Sequence, residues 1–264
     1  MKKVDGHIHT PFCPHGSMDS FHEYIERAIA LDYSQLTFTE HAPLPRGFVD
    51  TTPDQDSGMA EDDVPLYFDT LEELKETYKQ RITILSGLEV DYIEGFENET
   101  ADFLNRWGER LDDSILSVHF LHYKNKWACL DFSPDVFKKM IGLYDSSDEI
   151  YRHYYRTVLK SIEADLGPFK PKRIGHITLV KKFQKLYPAS TPFSKEIKAI
   201  LEAAASSGYE LDYNGAGVIK PHCGESYPPE EVIEHARKLG IKTVYGSDAH
   251  SAAGIGQGRH AMRL

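Results

Sequence analysis

Two short runs of metal-binding side chains constrain the fold of this chain more than any other feature: Asp5-Gly6-His7-Ile8-His9 near one end and Gly246-Ser247-Asp248-Ala249-His250 near the other. Each sits where a run of β-formers stops. The first follows Val4, and the second follows Ile241-Lys242-Thr243-Val244-Tyr245. Residues two apart on a strand point to the same face. His7 and His9 therefore converge, as do Asp248 and His250, and either pair can chelate one ion. With the pairs at opposite ends of the sequence, the pattern predicts a sheet that closes on itself around a metal site. A metal-dependent hydrolase is the first expectation.

Between these motifs the chain alternates two kinds of element. Ser20-x-x-Glu23 is a capping box, and Phe21, Tyr24, Ile25, Ala28 and Ile29 follow at helical spacing. Gln35 to Thr39 reads as a strand ending in Glu40-His41, Leu66 to Tyr78 as a helix, and Ile82 to Leu85 as a strand leading to Gly87-Leu88-Glu89. Roughly Asn98 to Arg110 is helical, and Ser114 to Val118 is a strand ending at His119. A long helix through Ile150 and Ile162 is stopped by Gly167-Pro168, and Arg173-Ile174-Gly175 runs into His176. Ser194 is expected to cap a helix through Ala205. Tyr209 to Tyr213 is a strand, Pro229 opens a helix that Gly240 closes, and Lys242 to Tyr245 is the last strand. Strands alternating with helices predict a parallel α/β sheet, whose chemistry lies just beyond the strand C-termini. His7, His9, His41, Glu89, His119, His176, Asp248 and His250 all fall at such ends, and His15 lies in the loop after the first strand.

Thirteen histidines make some coincidence inevitable, so each needs its own argument. His22, His153 and His235 lie inside predicted helices and read as surface or core-edge residues, and His260 has no supporting pattern. The net charge is −11, which does not suit tracking along a polyphosphate backbone. No nucleic-acid partner is expected. No run of 18 apolar residues or signal-like segment is present, so no membrane is expected and a cytoplasmic location is the default. Cys13, Cys129 and Cys223 are too scattered for a disulfide framework or a C-x-x-C zinc cage.

Four motifs in order, Asp5-Gly6-His7-Ile8-His9, Thr39-Glu40-His41, Ser117-Val118-His119 and Ser247-Asp248-Ala249-His250, with Glu89 between the second and third, resemble those of the PHP (polymerase and histidinol phosphatase) superfamily. The segment Pro53 to Met59 and the run Leu211 to Pro229 resemble its monofunctional histidinol-phosphatase branch. The resemblance covers essentially the whole chain and implies one domain over 1–264 with a distorted (β/α)7 TIM-like barrel. It also implies three divalent metal ions. His7, His9, Glu89 and Asp248 would hold the first, Glu89 with His119 and His176 the second, and His15, His41 and His250 the third. Nitrogen and carboxylate donors suit zinc, iron or manganese alike. Two features depart from the family: Ile177-Thr178 follows His176 where a proline is usual, and few residues follow His250 to form a closing helix.

The implied reaction is hydrolysis of L-histidinol phosphate to L-histidinol and phosphate, a step of histidine biosynthesis. A hydroxide held by the metals through Glu89 and Asp248 would attack phosphorus, since bound water ionises near pH ~7. Asp19, His122 and metal-bound water are candidates to protonate the leaving alcohol. Lys220, Arg156, Lys181 and Lys182 are candidates for the phosphate, and His122 and His222 for other substrate contacts. The Pro- and Asp-rich stretch 43–63 is read as a substrate loop. The alternatives are a PHP-type esterase acting on another small phosphate ester and an amidohydrolase-like enzyme, which would need a bridging lysine where Glu89 stands. A nuclease of the same superfamily and an idle metal-binding domain are weaker rivals. The first lacks a basic stripe, and the second would be free to lose ligands that are all present.

Overall fold

The computed structural model describes residues 3–264. In chain order the elements are β1 (Val4–Ile8), α1 (Phe21–Ala30), β2 (Gln35–His41), α2 (Val64–Tyr78), β3 (Thr83–Asp91), α3 (Glu97–Trp107) and β4 (Ile115–Ser117). A hairpin β5 (Phe120–Tyr123) and β6 (Lys126–Cys129) follows, then α4 (Pro134–Tyr144), α5 (Ser147–Glu163) and β7 (Arg173–Ile174). The chain continues with α6 (Ser194–Ser206), β8 (Glu210–Asn214), α7 (Ala216–Ile219), α8 (Glu230–Lys238) and β9 (Thr243–Gly246).

Seven strands form one parallel sheet in the order β1-β2-β3-β4-β7-β8-β9. The outer strands then meet. Ile8 pairs in parallel with Ala249, the His9 N–H donates to the Ala249 carbonyl at 3.0 Å, and the Asp248 N–H donates to the His7 carbonyl at 2.8 Å. The expected α/β barrel is therefore present, and its seam is closed by the two metal-type motifs themselves rather than by a long final helix. The barrel is irregular: the β1–β2 register shifts between Asp5 and Ile8, and β4 and β7 share only two registered pairs.

Helices pack outside the sheet by their apolar stripes. The capping box at Ser20 and Glu23 forms as expected, and α1 buries Phe21, Tyr24, Ile25 and Ala28. From α2, the buried Tyr67 hydroxyl donates to the Phe38 and Gly87 carbonyls at 3.1 and 2.8 Å, tying the helix to two strands at once. At α6 the expectation changes. Ser194 is its first residue, and the N-cap is Phe193 in a left-handed conformation (φ 50°) with no side-chain cap bond. The Phe193 ring is buried beside Tyr151 and Tyr155, so aromatic packing takes precedence over capping here.

The hairpin β5–β6 and helix α4 are additions to the strand and helix pattern read from sequence. The segment 43–63 is ordered against the barrel. Phe48 inserts between Phe96, Phe120 and Trp127, with ring centroids 5.0 to 5.5 Å away. The Met59 N–H donates to the His41 carbonyl at 3.1 Å. A Cβ at Gly58 would lie 2.5 Å from the Ala42 carbonyl oxygen, so only glycine lets the segment come this close to the strand end.

Candidate metal centre

Every strand of the barrel except β8 delivers expected ligands at its C-terminal end, and they converge on Glu89. Its Oε2 lies 3.3 Å from His7 Nε2, 3.5 Å from His9 Nε2 and 3.2 Å from His41 Nδ1. Its Oε1 lies 2.8 Å from His176 Nε2 and 3.8 Å from His119 Nε2, and accepts the Ser117 hydroxyl at 2.6 Å. The two carboxylate oxygens thus face two different histidine groups. Asp248 Oδ1 lies 3.0 Å from His9 Nε2 and 3.7 Å from both His7 Nε2 and His250 Nδ1. His15, more exposed, places its ring 5.1 Å from those of His41 and His250. All nine expected ligands are brought to one rim.

Donor chemistry fits metal ions at this rim. Three groups have ligand atoms close enough to share an ion: His7, His9 and Glu89; Glu89, His119 and His176; and His9, Cys13, His41 and His250. His7 Nε2 and His41 Nδ1 are buried without a hydrogen-bond partner. A buried polar atom left unpaired is costly, and a bound cation would relieve that cost here. Cys13 was not expected in this company. It follows His9 by four residues in the loop that also carries His15, and it adds a sulfur to the third group.

A second set of residues aims the histidines. His7 Nδ1 lies 2.8 Å from Asp212 Oδ2, His9 Nδ1 3.3 Å from Glu40 Oε1, and His119 Nδ1 2.8 Å from Asp91 Oδ1. Each carboxylate holds one ring nitrogen and leaves the other directed at the centre, as outer-shell carboxylates do in metal sites. Sequence reading missed all three. Asp91 was signalled by Glu89-Val90-Asp91, the same two-apart spacing as His7 and His9. Asp212 and Asn214 repeat that spacing on β8, where the Asn214 amide donates to Asp212 Oδ2 at 3.1 Å.

Electrostatics follow from this packing. Burial alone would raise the Glu89 carboxyl, but His7, His176 and His41 outweigh it and hold it well below the usual range. Asp248 is lowered in the same way against burial, by His7 and His9. Burial opposes charge on His9 and His119 too, yet Asp248 and Glu40 push the first up to about 9 and Asp91 with Glu89 push the second up to about 10. Burial and the neighbouring His9 lower His41 and His250, the latter to about 3. The cluster therefore keeps Glu89 and Asp248 ionised and favours cations around them, which protons supply at some histidines and divalent metals could supply instead.

The rim opens into a cavity of about 480 Å³ lined by seven of the nine expected ligands together with Thr52, Asp56, Phe120, Asp131, Lys182 and Lys220. Of the lysines considered for phosphate, Lys182 sits inside, with its Nζ 2.8 Å from Asp131 Oδ2, and Lys220 is exposed at the edge. Asp131 was not foreseen. Lys181 instead pairs with Glu225 outside this cavity, and Arg156 is exposed on α5 away from it. His122 stacks on Trp127 across the hairpin at 4.5 Å, and the His222 carbonyl accepts from the Lys185 N–H. Neither lines the cavity. Asp19 is committed to the Ala252 N–H at 2.8 Å and also lies off the cavity, because the segment after His250 folds back onto the approach to α1. Among the described residues, no helix is long and apolar enough to cross a membrane.

Comparison with known proteins agrees with this architecture. Residues 5–216 match the family model described as the PHP domain. The chain is 46% identical to the histidinol-phosphatase of Bacillus subtilis over 99% of this chain and 98% of that protein. The crystal structure of hisK from Listeria monocytogenes, assigned as a histidinol phosphatase, superposes with a TM-score of 0.95 at 40% identity, covering 99% of this chain and all of that one. A histidinol phosphate phosphatase from Lactococcus lactis, solved with zinc, L-histidinol and phosphate, shares the fold at a TM-score of 0.72 and 23% identity, over 98% of this chain and 92% of that one.

Proposed function

Because the chain belongs to the PHP domain family, we propose that it is a metal-dependent phosphomonoesterase that converts L-histidinol phosphate to L-histidinol and phosphate, a step of histidine biosynthesis. The observation that carries the metal dependence is Glu89, buried and with one oxygen towards His7, His9 and His41 and the other towards His119 and His176. The substrate assignment is supported by the near full-length likeness to the Bacillus histidinol-phosphatase.

Three divalent ions, zinc, iron or manganese, fit the donor set. His7, His9, Glu89 and Asp248 would hold the first, Glu89, His119 and His176 the second, and His15, His41 and His250 the third. Bound ions supply Lewis acidity, which lowers the pKa of water and offsets the charge of a phosphoryl group. The protein's own contribution is orientation. Asp212, Glu40 and Asp91 fix the tautomer and direction of His7, His9 and His119. Lys182 is kept charged in the cavity: burial would lower it, but Asp131 outweighs burial and raises it. Its ammonium and that of Lys220, both lining the cavity, are our candidates to meet phosphoryl oxygens.

The test is phosphate release from L-histidinol phosphate beside generic small phosphomonoesters. A strong preference for histidinol phosphate is expected. Release without preference would keep the esterase and discard the substrate, and no release from any ester would refute the reading.

A further inference from the structure

Five carboxylates line the cavity: Asp56, Glu89, Asp91, Asp131 and Asp248. Four are already matched with nitrogen groups. Glu89 and Asp248 face the histidine cluster, Asp91 holds His119, and Asp131 holds Lys182. Asp56 is different. Among the described residues its carboxylate makes no ion pair, and its one hydrogen bond is from the Thr52 hydroxyl at a long 3.5 Å. Its backbone carbonyl accepts from His15 Nδ1 at 2.8 Å, which fixes it beside the metal-binding rim.

The loop that carries it is built rather than loose. Asp50 Oδ1 accepts the Thr52 N–H and hydroxyl at 2.9 Å each, and Asp50 Oδ2 accepts the Ser57 N–H at 3.0 Å. Phe48 anchors the same loop in its aromatic cage. Thr52, Asp56 and Ser57 all line the cavity. A free carboxylate is thus held at a set place in a cavity that Lys182 and Lys220 also line.

Histidinol phosphate is charged at both ends, with a phosphate and an ammonium. Its phosphate end suits the cation-rich part of the cavity. The ammonium needs a carboxylate that is not already neutralised, since a buried or half-buried charge must be paired. We infer that Asp56 reads the ammonium group of the substrate and so sets the preference for an amino-bearing phosphate ester. This rests on the histidinol-phosphatase reading above.

The test uses the metal-loaded protein with two substrates, L-histidinol phosphate and 3-(imidazol-4-yl)propyl phosphate, which lacks only the amino group. Asp56→Asn should reduce kcat/KM for histidinol phosphate by about 10- to 100-fold, chiefly through KM, the range for losing a charged hydrogen-bond partner. The desamino ester should be hydrolysed by the variant as by the wild type, which also shows that the variant is folded and loaded. Asp54→Asn, the same charge change at an exposed loop position, should leave both substrates unaffected. Equal losses on both esters, or no loss on either, would overturn the assignment to Asp56 alone. A wild type inactive on both esters would instead overturn the histidinol-phosphatase reading, and this inference with it.

Discussion

Asp212 touches none of the expected reacting atoms, yet the structure makes it a determinant of the centre. It is fully buried, as is His7, and its Oδ2 lies 2.8 Å from His7 Nδ1. On the far side of the ring, His7 Nε2 faces Glu89 and Asp248 without a hydrogen bond. Replacing Asp212 with Asn removes the charge but leaves an amide oxygen that can still accept from Nδ1. Replacing it with Ala leaves a buried imidazole N–H with no acceptor, a penalty of about 1–3 kcal/mol. Outer-shell changes of this kind weaken metal binding about 10- to 100-fold. The Asn variant should fall near the lower end and the Ala variant near the upper, a spread of about 1.4 kcal/mol for the tenfold step between them. Competition of zinc or manganese between chelator-treated protein and a chromophoric chelator measures this directly, with a thermal melt to show folding. An Ala variant that folds and takes up metal as tightly as the wild type would refute the claim that Asp212 orients His7.

Two further outcomes follow from the barrel and its helices. A Cβ at Gly6 would lie 2.1 Å from Nη1 of the buried Arg173 and 2.6 Å from Val244 Cγ1. Gly6→Ala should therefore destabilise by about 1–3 kcal/mol or more through overpacking, and an unchanged urea midpoint would contradict that packing. Burial depresses Lys170 from 10.5 to about 8, while its Nζ donates to the Ile162 and Ala164 carbonyls at the end of α5. Between those pH values the unfolded chain binds more protons than the folded one. This residue's contribution to stability should rise as pH climbs from about 8 towards 10.5, and the cost of the buried charge is fully present below 8. The unfolding free energy of wild type minus that of Lys170→Met should then be larger at pH 10 than at pH 7, and a difference that stays flat or falls would contradict the assignment.

The cluster of candidate ligands was legible because these side chains sit at strand ends, where hydrophobic runs stop and the two-residue period of a strand decides which side chains share a face. His7 with His9 and Asp248 with His250 express that rule directly, and the same pairs turned out to close the barrel. Asp91 and Asp212 obey it as well but carry no histidine to draw attention. The hairpin β5–β6 was hidden because its turn uses Lys124 and Asn125 at positive φ in place of an Asn-Gly signal. Helix α4 was not read from the sequence either, although Ser133 and Pro134, a cap and a first-turn proline, are signals for it. The candidate substrate residues were the least legible. A lysine or arginine shows its charge in sequence but not its partner, and Lys181 and Lys182 are adjacent yet bind different carboxylates on different surfaces.

The central claim is that Glu89 joins separate groups of histidines into one metal-dependent catalytic centre. It is tested most directly by titrating zinc or manganese back into chelated protein while reading bound metal per chain and histidinol phosphate turnover in the same samples. The account predicts no turnover without metal, recovery that tracks loading towards three ions per chain, and a Glu89→Gln variant that loads fewer ions and stays nearly inactive. Turnover that persists in fully chelated protein, or a Glu89→Gln variant that loads and works like the wild type, would contradict it.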